Sequence, residues 1–128
     1  QLKDNTLLDT KTLDKLSLAM SVVPKNPETG LVRIDPQSDW DRCSYGFHDS
    51  VRKKGDVFFE SLLYFEAAQR LAEMFEAAKR QEDAERFRKE ADSVKNQINK
   101  IFWDEKLSLY RAATIQSCEG DIWGSALD

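Results

Sequence analysis

Apolar residues recur three and four apart early in the chain, lose that rhythm, and recover it later in two different forms. In "TLLDTKTLDKLSLAMSVV", Leu13, Leu16, Met20 and Val23 share one helical stripe, which predicts a short helix closing before Pro24. From Pro24 to Gly55 no period is sustained, apart from "LVRID", which reads as a short extended piece. A connection of roughly 30 residues is longer than ordinary loops, and such loops are usually functional or disordered. This one holds Trp40, Tyr45 and Phe47 within "SDWDRCSYGFHDS", residues that disordered segments tend to lack. An ordered, functional loop is expected.

Asp56 reads as the N-cap of a long helix, "VFFESLLYFEAAQRLAEMFEAAKR". Phe58, Leu62, Phe65, Ala72 and Phe75 form one apolar flank, and Phe59, Leu63, Ala67, Leu71 and Met74 form another. Two such flanks predict burial on more than one side. After a tight "QED" connection, Ala84, Phe87, Ala91, Val94, Ile98 and Ile101 recur on a single face of "AERFRKEADSVKNQINKIF", the pattern of a surface helix. The short link makes the pair an antiparallel hairpin. "WDEKLSLYRAA" then crosses back in extended or irregular form, with Leu107, Leu109 and Tyr110 available for packing, and "GDIWGSALD" opens a further helix at Asp121.

An inner helix, an outer helix and a return to a new inner helix predict an all-α fold. Residues 1–128 are read as one helical region of antiparallel hairpins in two layers, part of an (α/α) barrel or toroid, or an open solenoid. Loops preceding inner helices emerge on one side, so residues 33–56 and 112–121 are expected to be neighbours. The helix that starts and stops at the last residues predicts a piece of a longer protein.

Composition narrows the partners. Apolar residues make up 41 % of the 128, charged residues 33 %, and the net charge is −4 with no basic block. That balance argues against nucleic acid and anionic membrane as partners. No apolar run approaches the ~20 residues needed to span a bilayer. Cys43 and Cys118 are the two cysteines, without a C-x-x-C, and His48 is the one histidine, so no metal site is expected. Phe and Met at helical spacing are core, and no cofactor is implied.

The aromatic-rich inner helix, the A-x-x-[FY]-x-x-x-A pattern of the outer helix, the "FWDE…Y" ending and the Gly-Ser-Ala of "DIWGSALD" together resemble the repeat unit of the six-hairpin glycosidases. These are (α/α)6-barrel glycoside hydrolases, including α-L-rhamnosidase-like and glycogen-debranching-like enzymes. "SDWDR" resembles the "DW" element they place before an inner helix. The resemblance covers roughly residues 36–128. It implies a carbohydrate substrate, and a chain that holds only part of a larger (α/α)6 catalytic domain. A truncated barrel would expose inner-helix faces through which copies self-associate.

Glycoside hydrolysis needs two carboxyl groups flanking the scissile bond, with aromatic and hydrogen-bonding side chains to hold the sugar. Asp39 or Asp41 is the candidate for one carboxyl and Glu119 for the other. Trp40, Arg42, His48, Asp49 and Trp123 are the candidate substrate-binding residues. Structural roles compete with several of these, though not with Glu119. Asp39 and Asp41 suit turns, Asp121 suits an N-cap, and Trp40 and Trp123 suit plugs at the ends of helical layers. "His48-Asp49-Ser50" spells a triad, but such groups must converge in space rather than in sequence. Glu60 and Glu66 are costly in a buried helix unless they face a barrel interior or meet Arg52 or Arg70. The rival readings are an α-solenoid interaction module of the tetratricopeptide kind and a non-catalytic helical lobe. The long helix after Asp56 is too long for a 34-residue repeat, and no second copy is visible.

Overall fold

The computed structural model describes residues 9–37 and 53–116. Asp9 caps the first helix, α1 (Thr10–Ser21), its carboxylate accepting the Thr12 N–H at 3.0 Å. After Pro24 a tight turn follows, in which the Asn26 N–H donates to the Leu31 carbonyl and the Gly30 N–H to the Asn26 carbonyl, both at 2.8 Å. The turn leads into β1 (Arg33–Ile34). The second described segment runs through β2 (Lys53–Val57), α2 (Phe58–Ala77), α3 (Gln81–Phe102), β3 (Trp103–Asp104), β4 (Leu109–Tyr110) and β5 (Ala113–Gln116).

The described residues are therefore mixed α/β, which corrects the all-α, two-layer expectation. β2 is the centre of a three-stranded antiparallel sheet in the order β1-β2-β5, and β3 and β4 pair as a separate hairpin. "LVRID" does hold an extended piece, the strand β1. Segments of two to five residues are too short for a period to register, yet their buried backbone groups still need partners. Ladder pairing between chain-distant strands supplies those partners. It leaves almost no trace in the apolar spacing.

The helix before this sheet also starts differently. Asp56 belongs to β2, and Val57, in extended conformation, is the N-cap of α2. No side chain caps it; the Phe58 N–H instead donates to the Ala112 carbonyl at 2.9 Å.

The helical hairpin is as expected. Phe75 stacks on Phe87 near the turn, with centroids 5.6 Å apart, while Phe58 meets Phe102 edge-on at the other end, also at 5.6 Å. Ala84, Phe87, Ala91, Val94 and Ile98 are all buried, and Ile101 is half-buried. For α2 the expected second flank is buried only in part: Leu71 is buried, and Phe59 and Met74 are half-buried. Phe58, Ser61, Tyr64, Ala68, Leu71, Ala72 and Phe75 are buried, whereas Leu63 is 55 % exposed and Ala67 lies in solvent. Each helix thus buries chiefly one face. Among the described residues there is one helical hairpin, flanked by strands on both sides in the chain, and no repeating solenoid.

Two apolar clusters make the core. At the sheet end Leu31, Val32, Ile34, Val57, Phe58, Val94, Ile98 and Phe102 pack together. At the turn end Leu13 of α1 is completely buried against a cluster with Ala68, Leu71, Phe75, Ala84 and Phe87. The two ends are joined by Phe65 and Met20, which touch both. Tyr110 stacks on Phe58 at 4.9 Å and Trp103 meets Tyr110 edge-on at 5.1 Å, so the β3–β4 hairpin closes the sheet end. Leu107, expected to pack there, is 54 % exposed.

Candidate functional site

All eight candidate site residues, Asp39, Trp40, Asp41, Arg42, His48, Asp49, Glu119 and Trp123, lie outside the described residues, as do Arg52 and Asp121. What the structure does fix is where the two segments carrying them join the fold. Lys53 pairs with Gln116 and Lys54 with Ile115 in the antiparallel register of β2 and β5. Residues 38–52 therefore arrive at, and residues 117–128 depart from, two backbone positions locked side by side. The expected proximity of residues 33–56 and 112–121 holds where both are described, and strand pairing is its cause.

A bulge in β2 shapes this junction. Between the pairs Lys54–Ile115 and Val57–Ala113 the chain spends one more residue on β2 than on β5. Gly55 takes a positive φ of 72° there, and the Asp56 N–H donates to Thr114 Oγ1 at 3.0 Å. The bulge aims the buried Asp56 carboxylate back at the turn before β1. Asn26 Nδ2 donates to its two oxygens at 2.9 and 3.1 Å, and Thr29 Oγ1 to one of them at 2.9 Å. The turn, β1 and the root of the long loop are thus tied to one carboxylate.

A second polar cluster fixes the same turn to the helical hairpin. Lys25 Nζ donates to Tyr64 Oη at 2.8 Å and also to Glu90, while Tyr64 Oη donates to Glu90 Oε1 at 2.6 Å. Burial pushes the Glu90 carboxyl up, but the hydrogen bonds from Lys25 and Tyr64 outweigh it and hold the group below its ordinary value. Burial pulls the Lys25 ammonium down, and the bonds to Glu90 and Tyr64 more than reverse this. Burial and the bond to Glu90 raise the Tyr64 phenol. The Lys25–Tyr64–Glu90 cluster had no sequence signal, because its members are 39 and 26 residues apart.

The two glutamates of α2 part company. Glu66 accepts from Arg70 Nε at 2.9 Å on the exposed face. Glu60 is half-buried in the first turn, both its carboxylate oxygens are closed to solvent, and neither has a hydrogen-bond partner among the described residues. Among the described residues no group of three or more His, Cys, Asp or Glu is placed to hold a metal ion. No helix among them is long and apolar enough to cross a membrane.

The model of one family, the mannosylglycerate hydrolase MGH1-like glycoside hydrolase domain, matches residues 8–126. The chain belongs to this family. The resemblance to glycoside hydrolases drawn from "SDWDR", "FWDE" and "DIWGSALD" holds at that level, and the substrate class of an MGH1-like glycoside hydrolase domain is carbohydrate. The matched span takes in both segments that bear the candidate carboxylates. No curated protein and no solved structure matches this chain.

Proposed function

We propose that this MGH1-like domain hydrolyses a small glycoside with paired carboxyl groups, Asp39 or Asp41 supplying one and Glu119 the other. One carboxyl protonates the glycosidic oxygen as the bond from the anomeric carbon to that oxygen breaks. The other takes a proton from the attacking water or attacks the anomeric carbon itself. Trp40 and Trp123 offer ring faces to the C–H surfaces of the sugar, and Arg42, His48 and Asp49 bond its hydroxyls. The observation that carries this reading is the pairing of Lys53 with Gln116, which roots the segment of Asp39 and Asp41 beside that of Glu119. Opposed carboxyl groups need such a common root when about 80 residues separate them. Mannosylglycerate, named in the family description, is the first substrate to test.

The assay is release of mannose from mannosylglycerate by the full protein and by Asp39→Asn, Asp41→Asn and Glu119→Gln variants. Loss of the acid or base should lower kcat by about 10²–10⁴-fold. Replacement of Asp39 and Asp41 together by alanine should abolish turnover. Unchanged kcat in that double variant would refute the assignment.

A further inference from the structure

We infer that Arg33 is a substrate-binding residue of this glycoside hydrolase domain, its guanidinium pairing with a carboxylate on the part of the substrate that leaves the sugar. The inference rests on the hydrolase reading above and adds to it a residue that selects acidic glycosides. In that reading the candidate residues serve the sugar and the bond that breaks. None is assigned to the glycerate carboxylate of mannosylglycerate, the compound in the family description. An ionised carboxylate leaves water at a cost that only a charged, hydrogen-bonding partner offsets. Arginine suits it best, because the planar guanidinium offers parallel N–H groups to both oxygens.

Arg33 has that capacity to spare. From Arg70 to Arg111, every other arginine of the described residues holds an Asp or Glu. The Arg33 side chain has no ion pair or hydrogen bond among the described residues. The reason is local. Strand pairing sets Arg33 directly opposite Asp56, where a cross-strand ion pair would be ordinary. The bulge turns that carboxylate to Asn26 and Thr29 instead, whose hydrogen bonds at 2.9, 3.1 and 2.9 Å occupy it. The backbone beneath is pinned as well, since the Arg33 N–H donates to the Pro24 carbonyl at 2.9 Å. A cation on a fixed strand, with its nearest anion withdrawn, is prepared for an anion from outside.

Its place gives a ligand access. Ile34 is buried in the core, so alternation along β1 puts Arg33 on the opposite face, where it is half-buried rather than closed to solvent. The chain runs on from β1 into the segment of Asp39 and Asp41. Three residues of β2, about 10 Å of strand, separate the position opposite Arg33 from Lys53, where the segments of both candidate carboxyls are rooted. A hexose joined to a three-carbon acid is long enough to lie across that interval, sugar towards the root and carboxylate towards Arg33.

The test uses the full protein with Arg33→Ala and Arg33→Gln variants. It compares mannosylglycerate with mannosylglycerol, in which an alcohol replaces the carboxylate. Loss of the charged pair should raise KM for mannosylglycerate about ten- to a hundred-fold in either variant. KM for mannosylglycerol should move far less, and kcat on both substrates little. Each variant is read as a ratio between two substrates, so a general loss of stability does not imitate the result. If Arg33→Ala fails to fold, Arg33→Gln carries the comparison; if neither folds, the arginine serves the fold and the inference is overturned. Equal changes in KM on the two substrates, or none on mannosylglycerate, would overturn it too. So would a wild type that cleaves mannosylglycerol as readily as mannosylglycerate, or cleaves uncharged glycosides alone. A wild type that cleaves no glycoside, p-nitrophenyl glycosides included, would bring down the hydrolase reading itself, a separate result.

Discussion

Thr114 Oγ1 occupies the place where a β-carbon on Gly55 would have to sit, only 2.3 Å from it. The same hydroxyl accepts the Asp56 N–H, so it cannot retreat without giving up that bond. Gly55 also has φ at 72°, a conformation that costs an L-residue about 1–2 kcal/mol before any clash. Gly55→Ala should therefore destabilise the protein by at least about 2 kcal/mol, read as a lower urea midpoint. In Gly55→Ala/Thr114→Ala the clash is gone while the backbone strain stays. The double variant should be less destabilised than the sum of the two singles, and strict additivity would rule out the contact.

Lys79 shows the opposite case, a positive φ of 61° filled by a residue other than glycine. It ends α2 in a Schellman arrangement, in which the Arg80 N–H donates to the Phe75 carbonyl at 2.8 Å and the Lys79 N–H to the Glu76 carbonyl at 2.9 Å. The Lys79 side chain is exposed. Lys79→Gly should relieve the left-handed strain and lose part of the gain to the freer unfolded chain, for a net stabilisation of about 0.5–1 kcal/mol. Thermal unfolding should show a higher midpoint, and a lower one would contradict the strain.

These two positions also mark what could be read from the chain beforehand. The hairpin was legible because Ala84, Phe87, Ala91, Val94 and Ile98 keep one helical period through a background of charge. The Schellman turn was not, since its left-handed residue is a lysine without the glycine that usually signals it. Strands β1, β2 and β5 were mostly illegible because a pairing such as Lys53 with Gln116 is set by distant backbone rather than local spacing. Asp56 misled for a related reason. Its type suits an N-cap, but the bulge at Gly55 turns it towards Asn26 and Thr29 instead. For α2, the helical spacing of apolar residues suggested two buried flanks, and Leu63 shows that an apolar residue need not be inside. Of the polar groups of α2, the cost of Glu60 was visible in the sequence, while the candidate site residues lie outside the described residues. Which of Glu60 and Glu66 would find a partner depended on Arg70 lying one turn beyond Glu66 on an exposed face.

The Lys25–Tyr64–Glu90 cluster should leave a signature in the pH dependence of stability. Glu90 titrates below its ordinary 4.5 in the folded protein, so its contribution is present above that value and fades as pH falls through the lower folded one. Lys25 is raised from 10.5 and Tyr64 from 10.0, so their contributions are present at neutral pH and fade as pH climbs past those values. Glu90→Gln should flatten the acid limb of a urea-midpoint profile and lower the plateau at pH 7. Tyr64→Phe should cost about 0.5–1.5 kcal/mol at neutral pH and leave most of the acid limb, because Lys25 still faces Glu90. An acid limb unchanged in Glu90→Gln would mean that the cluster does not couple to folding.

Ser61 makes the strongest stability claim for a single hydroxyl. It is fully buried, donates to the Val57 carbonyl at 2.6 Å and accepts the Val32 N–H at 3.0 Å. One oxygen thus joins the first turn of α2 to the residue just before β1. Alanine at this site removes little volume but leaves the Val32 N–H buried without an acceptor, a loss of about 1–3 kcal/mol. Ser61→Thr would keep the hydroxyl and add a methyl group in a site with no free surface, so overpacking should cost about 1–3 kcal/mol instead. Hydrogen exchange separates the two. In Ser61→Ala the Val32 amide should exchange much faster relative to the global unfolding rate, whereas in Ser61→Thr it should track global unfolding. Retained protection at Val32 in the alanine variant would show that another group had taken over the bond.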